Sequence, residues 1–188
     1  MEFVEPIRDR RQLEAIKKYL RGTSLRDHAL FVLGINSGLR VSDLLNLRVG
    51  DVTDSKGRIR ERMVVTEQKT GKRKSFAVGA SAAKAISEYL ASRPDTKATD
   101  PLFESRKGGS LKRARAWEII NGAARAVGIK DKIGTHTMRK TFGYHAYRDG
   151  KDLALIMQLL NHSSPSHTLR YIGASQDEMD RVYLTLNL

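Results

Sequence analysis

The chain has 188 residues, with 34 Lys and Arg against 21 Asp and Glu, so its formal net charge is +13. This length suits one large domain with its own core, and the charge favours an anionic partner, most often nucleic acid. The sequence has no cysteine, which excludes disulfides and thiolate chemistry, and no apolar stretch predicts a signal core or a membrane span.

Helices are predicted for the first part of the chain. Asp9 can cap a first helix. Its apolar residues recur at helical spacing: Leu13, Ile16 and Leu20. A second helix from about Leu25 is expected to end at Gly38, and a short helix to follow from Val41. The inward residues of the second helix are predicted to be Ala29, Leu30, Leu33 and Ile35.

The pattern changes to strands in the middle of the chain. Residues 60 to 67 alternate between two sets of side chains, and Lys74, Phe76 and Val78 alternate again after a polar turn. That turn contains Lys69 and Gly71, and the glycine suits the positive φ that a tight turn needs. The segment predicts a β-hairpin with Lys69 at or near its tip.

Helical patterns resume and continue to the end of the chain. Ser81, Thr135 and Asp152 are placed to cap three of these helices, and a short last helix is expected to end near Tyr171. Another helix is predicted over Lys112–Val127, with one apolar side formed by Trp117, Ile120 and Ala124. The predicted fold class is therefore α+β, mostly α-helical with a small antiparallel sheet.

Two units are expected, a domain over residues 1–174 and a C-terminal amphipathic tail over residues 175–188. The tail's apolar positions fall on one face: Met179, Val182, Tyr183 and Leu186. We predict that this helix docks either on its own domain or on a neighbouring protomer. Tyr144 and Tyr147 are interpreted as packing residues, and so is Tyr183.

Six residues carry the candidate chemistry, in this order: Arg40, Lys69, His136, Arg139, His162 and Tyr171. Guanidiniums and imidazoles can hold phosphate oxygens, a lysine can protonate a leaving oxygen, and a phenol can attack phosphorus. Taken singly, Arg40 could be a surface arginine paired with Asp43, and a His-x-x-Arg pair is common in ordinary helices. The ordered set is what indicates phosphoryl-transfer chemistry.

These motifs resemble those of the tyrosine recombinase, or phage integrase, family over about residues 9 to 186. The family pattern is an arginine after Gly-Leu, a hairpin lysine, His-x-x-Arg, a second His or Trp, and a nucleophilic tyrosine. The chain departs from it at Lys140, where many relatives have histidine, and at Asn161, where many have glycine. The resemblance implies the tyrosine recombinase catalytic-domain fold, without the separate N-terminal DNA-gripping domain of most members.

The resemblance also implies roles for the six residues. Tyr171 would attack the DNA phosphate and form a 3′-phosphotyrosine link, and Lys69 would protonate the 5′ leaving oxygen. The phosphate clamp would consist of Arg40, His136, Arg139 and His162. Asp43 would orient Arg40. No metal, ATP or other cofactor is expected, although His162 and His167 could also be read as metal ligands without accompanying cysteines or carboxylates.

Other cations near these motifs are expected to contact DNA phosphates. They are Lys72, Arg73, Lys74, Lys107, Lys112, Arg113, Arg115 and Lys140. The expected partner is double-stranded DNA, bound by four copies on paired sites, with a monomer or weak assembly without DNA. The expected location is the cytoplasm, with a bacterial, phage or mobile-element origin. Two alternatives are a type IB topoisomerase-like enzyme and a DNA-binding recombination accessory protein that does no chemistry.

Overall fold

The helices and the hairpin appear in the predicted order. The computed structural model describes residues 4–69, 71–174, 180 and 183–186. The first part of the chain forms α1 (Arg10–Thr23), α2 (Leu25–Ser37), α3 (Val41–Leu45) and α4 (Val49–Val52). The hairpin strands are β1 (Arg62–Thr66) and β2 (Arg73–Ala77). The remaining helices are α5 (Ala80–Ala91), α6 (Arg113–Ala126), α7 (Thr137–Arg148), α8 (Leu153–Leu159) and α9 (Pro165–Ile172).

Helix α2 lies at the centre and packs against α1, α5 and α7. Its inward side is wider than predicted, because Phe31 and Val32 are buried together with Ala29, Leu30 and Leu33. The helix ends where the sequence indicates, with Gly38 in the left-handed region at φ 61°. A side chain at this glycine would meet the Phe142 ring of α7, so α2 and α7 cross closely here.

The hairpin confirms the predicted alternation. Strand β1 pairs antiparallel with β2, and Met63 lies opposite Phe76. Met63 and Val65 are buried while their neighbours in β1 are exposed, so one face of the hairpin joins the core. Gly71 has a φ of 67°, as the turn requires.

The apolar interior has two parts that meet at α7. The larger core involves α1 to α6, the hairpin and Met138 of α7. A smaller cluster joins α7, α8 and α9 around Tyr144, Ile156, Leu160 and Ile172, and the Tyr171 ring packs against it. The packing roles predicted for Tyr144 and Tyr147 are confirmed, since Tyr144 is buried and Tyr147 lies against this cluster.

Several local predictions were wrong. Trp117 is 49% exposed, because α6 packs through a neighbouring stripe made mostly of small residues, among them Ala116, Ala123 and Ala124. Helices α5 and α7 begin one or two residues away from the expected caps, with Gly79 and His136 as N-caps instead of Ser81 and Thr135. The cap at Asp152 is confirmed, since its carboxylate accepts from the first backbone N–H groups of α8.

The predicted tail, residues 175–188, lies mostly outside the described residues, and so do Met179 and Val182. Tyr183 is described and is 81% exposed, so it does not pack on its own domain. Within the described part of the chain, the helices are too short or too polar to cross a membrane.

A glycine on α7 lets α9 approach closely, and we expect Gly143→Ala to destabilise the fold. A Cβ there would lie 2.7 Å from Ile172 Cγ2 and 3.0 Å from Leu160 Cδ1. Overpacking of this kind costs about 1–3 kcal/mol of unfolding free energy. The measurement is urea unfolding followed by circular dichroism.

The matched control is Gly122→Ala on α6, where a Cβ would meet nothing within 4 Å. Removing a helical glycine there should raise the unfolding free energy by up to about 1 kcal/mol. Equal effects of the two substitutions would contradict the close approach at Gly143.

Candidate active site

The deepest charged residue of the site is Arg139, whose side chain is buried on α7. Its Nη1 donates to the carbonyl of Gly38 at 2.6 Å, and its Nη2 donates to the carbonyl of Leu160. These carbonyls follow the last residues of α2 and α8, where helix dipoles concentrate negative charge. Arg139 therefore ties together two chain segments that are far apart in sequence.

Lys74 joins the same two helix ends. Its Nζ donates to the carbonyl of Ser37 at 3.1 Å and to that of Leu159 at 2.8 Å. Burial, together with the nearby charge of Arg139, lowers the pKa of Lys74 to about 8. We expected Lys74 to be a DNA contact on the surface, but it lies inside the site. The strand alternation indicates that Lys74 points inward, because Lys74 lies on the same face of β2 as Phe76, which packs on the core.

Arg40 is the N-cap residue of α3, immediately after the Gly38 turn. Its Nη1 lies 2.8 Å from Oε2 of Glu67, whose side chain is only 2% exposed. The prediction had Asp43 orienting Arg40, and this was wrong. Asp43 projects toward the hairpin, where its Oδ1 accepts from the backbone N–H of Gln68 at 3.0 Å. Glu67 was missed because its partner lies 27 positions earlier.

Lys69 lies on the exposed hairpin turn. The turn itself is fixed close to the site, since Glu67 pairs with Arg40 and Gln68 is held by Asp43. The structure thus brings the hairpin to Arg40 as expected, but it leaves the Lys69 side chain in solvent.

His162 follows α8 and is held by Thr168 of α9. The Thr168 hydroxyl donates to the carbonyl of Ser164 at 2.9 Å, so its oxygen accepts from His162 Nδ1, 3.2 Å away. This pairing engages Nδ1 and leaves Nε2 for chemistry. Burial, with the charges of Arg139 and His167, lowers the pKa of His162 to about 4. Sequence reasoning missed Thr168.

Tyr171, near the end of α9, lies within this group of side chains. The Arg139 charge acts on its hydroxyl. Its ring stands edge-on to the His162 ring, with centroids 4.8 Å apart, and the Lys140 ammonium lies 5.2 Å from the ring centroid. Burial raises the pKa of the Tyr171 phenol above its ordinary value, and the Arg139 charge opposes this rise. Lys140 is buried here, so it faces Tyr171 rather than the surface.

His136 is the half-buried N-cap residue of α7, one turn before Arg139. Burial lowers its pKa, and the positive charges of Arg113 and Arg139 act in the same direction. Arg113 thereby belongs to the electrostatic surroundings of the site. The remaining cations proposed as DNA contacts are exposed: Lys72, Arg73, Lys107, Lys112 and Arg115.

Four of the six predicted catalytic residues thus lie together: Arg40, Arg139, His162 and Tyr171. His136 lies at their edge, and Lys69 lies on the adjoining turn. Among the described residues, no group of three or more His, Asp or Glu side chains is placed to hold a metal ion. The arrangement offers several fixed cations and one phenol, which suits attack on a phosphate.

Comparison with known proteins identifies the family of the chain. The family model described as "Phage integrase family" matches residues 8–178. The chain belongs to the phage integrase family. A relative from Bacillus subtilis (strain 168), named probable integrase/recombinase YoeC, is 42% identical over 184 residues, which are 97% of each chain. Tyrosine recombinase XerC of Pelobacter propionicus is 36% identical over 85% of this chain, which spans only 51% of that relative.

Solved structures of this family confirm the predicted fold. The XerA recombinase aligns with a TM-score of 0.79 and 22% identity, over all of this chain and 66% of XerA. The XerH site-specific recombinase, solved with its palindromic difH substrate after cleavage, aligns with a TM-score of 0.76 and 19% identity. That alignment covers 96% of this chain and 52% of XerH. The fold is that of a tyrosine recombinase catalytic domain.

The surroundings of His162 give a direct test by NMR titration. We expect its ring to stay neutral down to about pH 4, far below the ordinary histidine pKa of 6.5. Between these values the unfolded chain binds a proton that the folded protein does not, so this residue lowers stability as the pH falls from 6.5 to 4.

His167→Gln should raise the pKa of His162, because the His167 charge contributes to its depression. His145→Gln is the control, since His145 pairs with the carbonyl of Ile7 instead, and it should leave the titration of His162 unchanged. A His162 midpoint near 6.5 in the unaltered protein would contradict the buried site described above.

Proposed function

We propose that this protein is a site-specific DNA recombinase that cleaves and rejoins DNA through a 3′-phosphotyrosine intermediate. The observation that carries the proposal is the position of Tyr171, whose ring contacts His162 and Lys140 and whose hydroxyl is exposed to the charge of Arg139. A phenol within a cluster of cations is suited to attack an anionic phosphodiester. The names of the relatives support this: YoeC is a probable integrase/recombinase, and XerC is a tyrosine recombinase.

In this mechanism the Tyr171 phenol passes its proton to a neutral imidazole of the site as its oxygen bonds to phosphorus and the bond to the 5′ oxygen breaks. Negative charge grows on the non-bridging oxygens, where Arg40 and Arg139 supply permanently charged donors. Lys69 gives its proton to the departing 5′ oxygen. Because the phosphoester bond is retained in the protein–DNA link, a 5′ hydroxyl can reverse the reaction without ATP.

The histidines need protons to act as donors to the phosphate. Nδ1 of His162 is engaged by Thr168, so only Nε2 is available for the substrate. In the DNA-free protein the ring is neutral at pH 7, because its pKa is lowered to about 4. A bound phosphate raises this pKa through its negative charge, which lets Nε2 carry a proton and donate it. A bound phosphate would likewise raise the pKa of His136, which lies at the edge of the site and whose pKa is also lowered by burial.

The proposed partner is double-stranded DNA, and the active assembly is four copies on two paired sites. The exposed cations around the site would hold the phosphates on either side of the cleaved bond. XerH has been solved on its own DNA substrate, which supports this partner. Without DNA we expect a monomer or a weak assembly.

We expect Tyr171→Phe to abolish covalent attachment to DNA and to leave DNA binding nearly intact. Only one hydroxyl is lost, and the ring still packs on the small cluster of α7, α8 and α9. The measurement is trapping on a nicked suicide duplex, resolved by denaturing electrophoresis. Tyr183→Phe is the control and should trap normally. Retained trapping by Tyr171→Phe would place the nucleophile elsewhere, with the exposed Tyr183 as the first alternative.

We expect Lys69→Ala to cleave ordinary DNA slowly and to be rescued by a bridging 5′-phosphorothiolate. A thiolate leaves without protonation, so a missing general acid no longer matters. Lys72→Ala, in the same turn, is the control and should need no rescue. If the sulfur substrate fails to rescue Lys69→Ala, the general acid is another group, and Lys74 is a candidate inside the site.

We expect the DNA affinity of the isolated chain to fall steeply with salt. The logarithm of the binding constant should decrease linearly with the logarithm of salt concentration, by about 0.9 for each phosphate neutralised. Arg113→Gln should reduce that slope by about one unit. Lys18→Gln, in the groove between α1 and α5, is the control and should leave the slope unchanged. Binding that does not respond to salt would contradict the phosphate contacts.

A further inference from the structure

Glu67 is a buried acidic residue that the mechanism above does not use. It follows β1 directly and closes the hairpin turn through its backbone. Its N–H donates to the carbonyl of Lys72 at 2.9 Å, and its carbonyl accepts from the N–H of Gly71 at 2.8 Å. Lys69 lies within the turn that these two bonds define. The conformation of that turn therefore depends on where Glu67 is held.

The Glu67 side chain points into the protein and is 2% exposed. Its Oε2 lies 2.8 Å from Nη1 of Arg40 and accepts from Nδ2 of Asn161 at 3.0 Å. Burying an isolated carboxylate is strongly unfavourable, so such a group persists where charged and polar partners compensate it. One carboxylate thus connects α3, the hairpin and the segment after α8.

Asn161 has a conformation that few residues accept. Its φ is +50°, the only positive φ at a non-glycine position among the described residues. Asparagine tolerates this region better than most side chains, although glycine does so at less strain. At this position asparagine adds an amide that reaches Glu67, immediately before His162. The side chain therefore fixes the segment from which His162 projects.

We propose that Glu67 is a positioning residue that couples Arg40, His162 and the Lys69 turn into one unit. It orients the Arg40 guanidinium directly, holds the His162 segment through Asn161, and anchors the turn through its own backbone. This proposal rests on the proposed function, because it assigns Glu67 a part in the same cleavage reaction.

The charge of Glu67 shows that it acts through its neighbours. A carboxylate facing the scissile phosphate would repel it, whereas one paired with Arg40 from the protein side leaves the other guanidinium donors for the substrate. Arg40 offers five N–H donors, and the pairing engages Nη1. Glu67 therefore sets where these donors point without contacting the DNA.

The test is single-turnover cleavage of a suicide duplex at saturating protein, together with DNA binding measured separately. Glu67→Gln keeps the shape and loses the charge, and Asn161→Gly keeps the positive φ and loses only the amide. We expect Glu67→Gln to slow cleavage at least about tenfold and Asn161→Gly about threefold or more, with DNA affinity changed less than threefold. Glu61→Gln, an exposed glutamate beside β1, is the matched control and should cleave normally.

Two double variants separate positioning from a general loss of structure. If Glu67 acts through Arg40, Glu67→Gln should add less than about threefold in an Arg40→Ala background. Glu67→Gln and Asn161→Gly together should likewise slow cleavage less than the product of their separate effects. Fully additive losses, or normal cleavage by both single variants, would overturn the proposal.

Failure of the proposed function would look different, because the unaltered protein would then form no covalent complex at all. If thermal unfolding shows that Glu67→Gln does not fold, cleavage is measured instead for Asn161→Gly in the Arg40→Ala background. That pair should also be less than additive, since the amide reaches Arg40 only through Glu67. Additivity in this pair would overturn the coupling.

Discussion

Two cations, the buried Arg139 and the half-buried Lys74, hold the C-terminal ends of α2 and α8 together. The carbonyls at a helix end lack intrahelical donors and carry the negative pole of the helix dipole. Arg139 donates hydrogen bonds to the carbonyls of Gly38 and Leu160, and Lys74 donates to the carbonyls of Ser37 and Leu159. Since Arg40 follows the first helix end and His162 follows the second, this double bridge sets the distance between the two halves of the site.

The same bridge concentrates positive charge where a phosphate would bind. The lowered pKa values of Lys74, His136 and His162 have one common first cause, burial, and neighbouring cations lower each of them further. Glu67 and Asp43 supply the buried negative charge nearby. A phosphate in this position would reverse the effect on each cation, so binding of the substrate and protonation of the histidines are linked.

Local signals predicted most of the helices, because caps and turns depend on a few adjacent residues. Asp9, Gly38 and Asp152 act as the sequence indicates. The prediction that Trp117 lies on the apolar side of α6 was wrong, because the elements that pack against this helix decide which of its faces is buried. The pairing of Arg40 with Glu67 joins residues 27 positions apart. Nothing in the sequence around Asp43 shows that its carboxylate accepts from the hairpin backbone, or that Glu67 is the residue that pairs with Arg40.

The half-buried position of Tyr171 has two opposing consequences. Packing on the small cluster fixes the phenol beside Arg139, which favours attack by limiting its orientations. The same burial raises the pKa of the phenol, so in the DNA-free protein it remains protonated at neutral pH. Lys69 is exposed on a turn that Glu67 and Gln68 hold at the rim. In the proposed mechanism the phosphate-binding cations are therefore already assembled, whereas deprotonation of Tyr171 and placement of Lys69 would await the DNA.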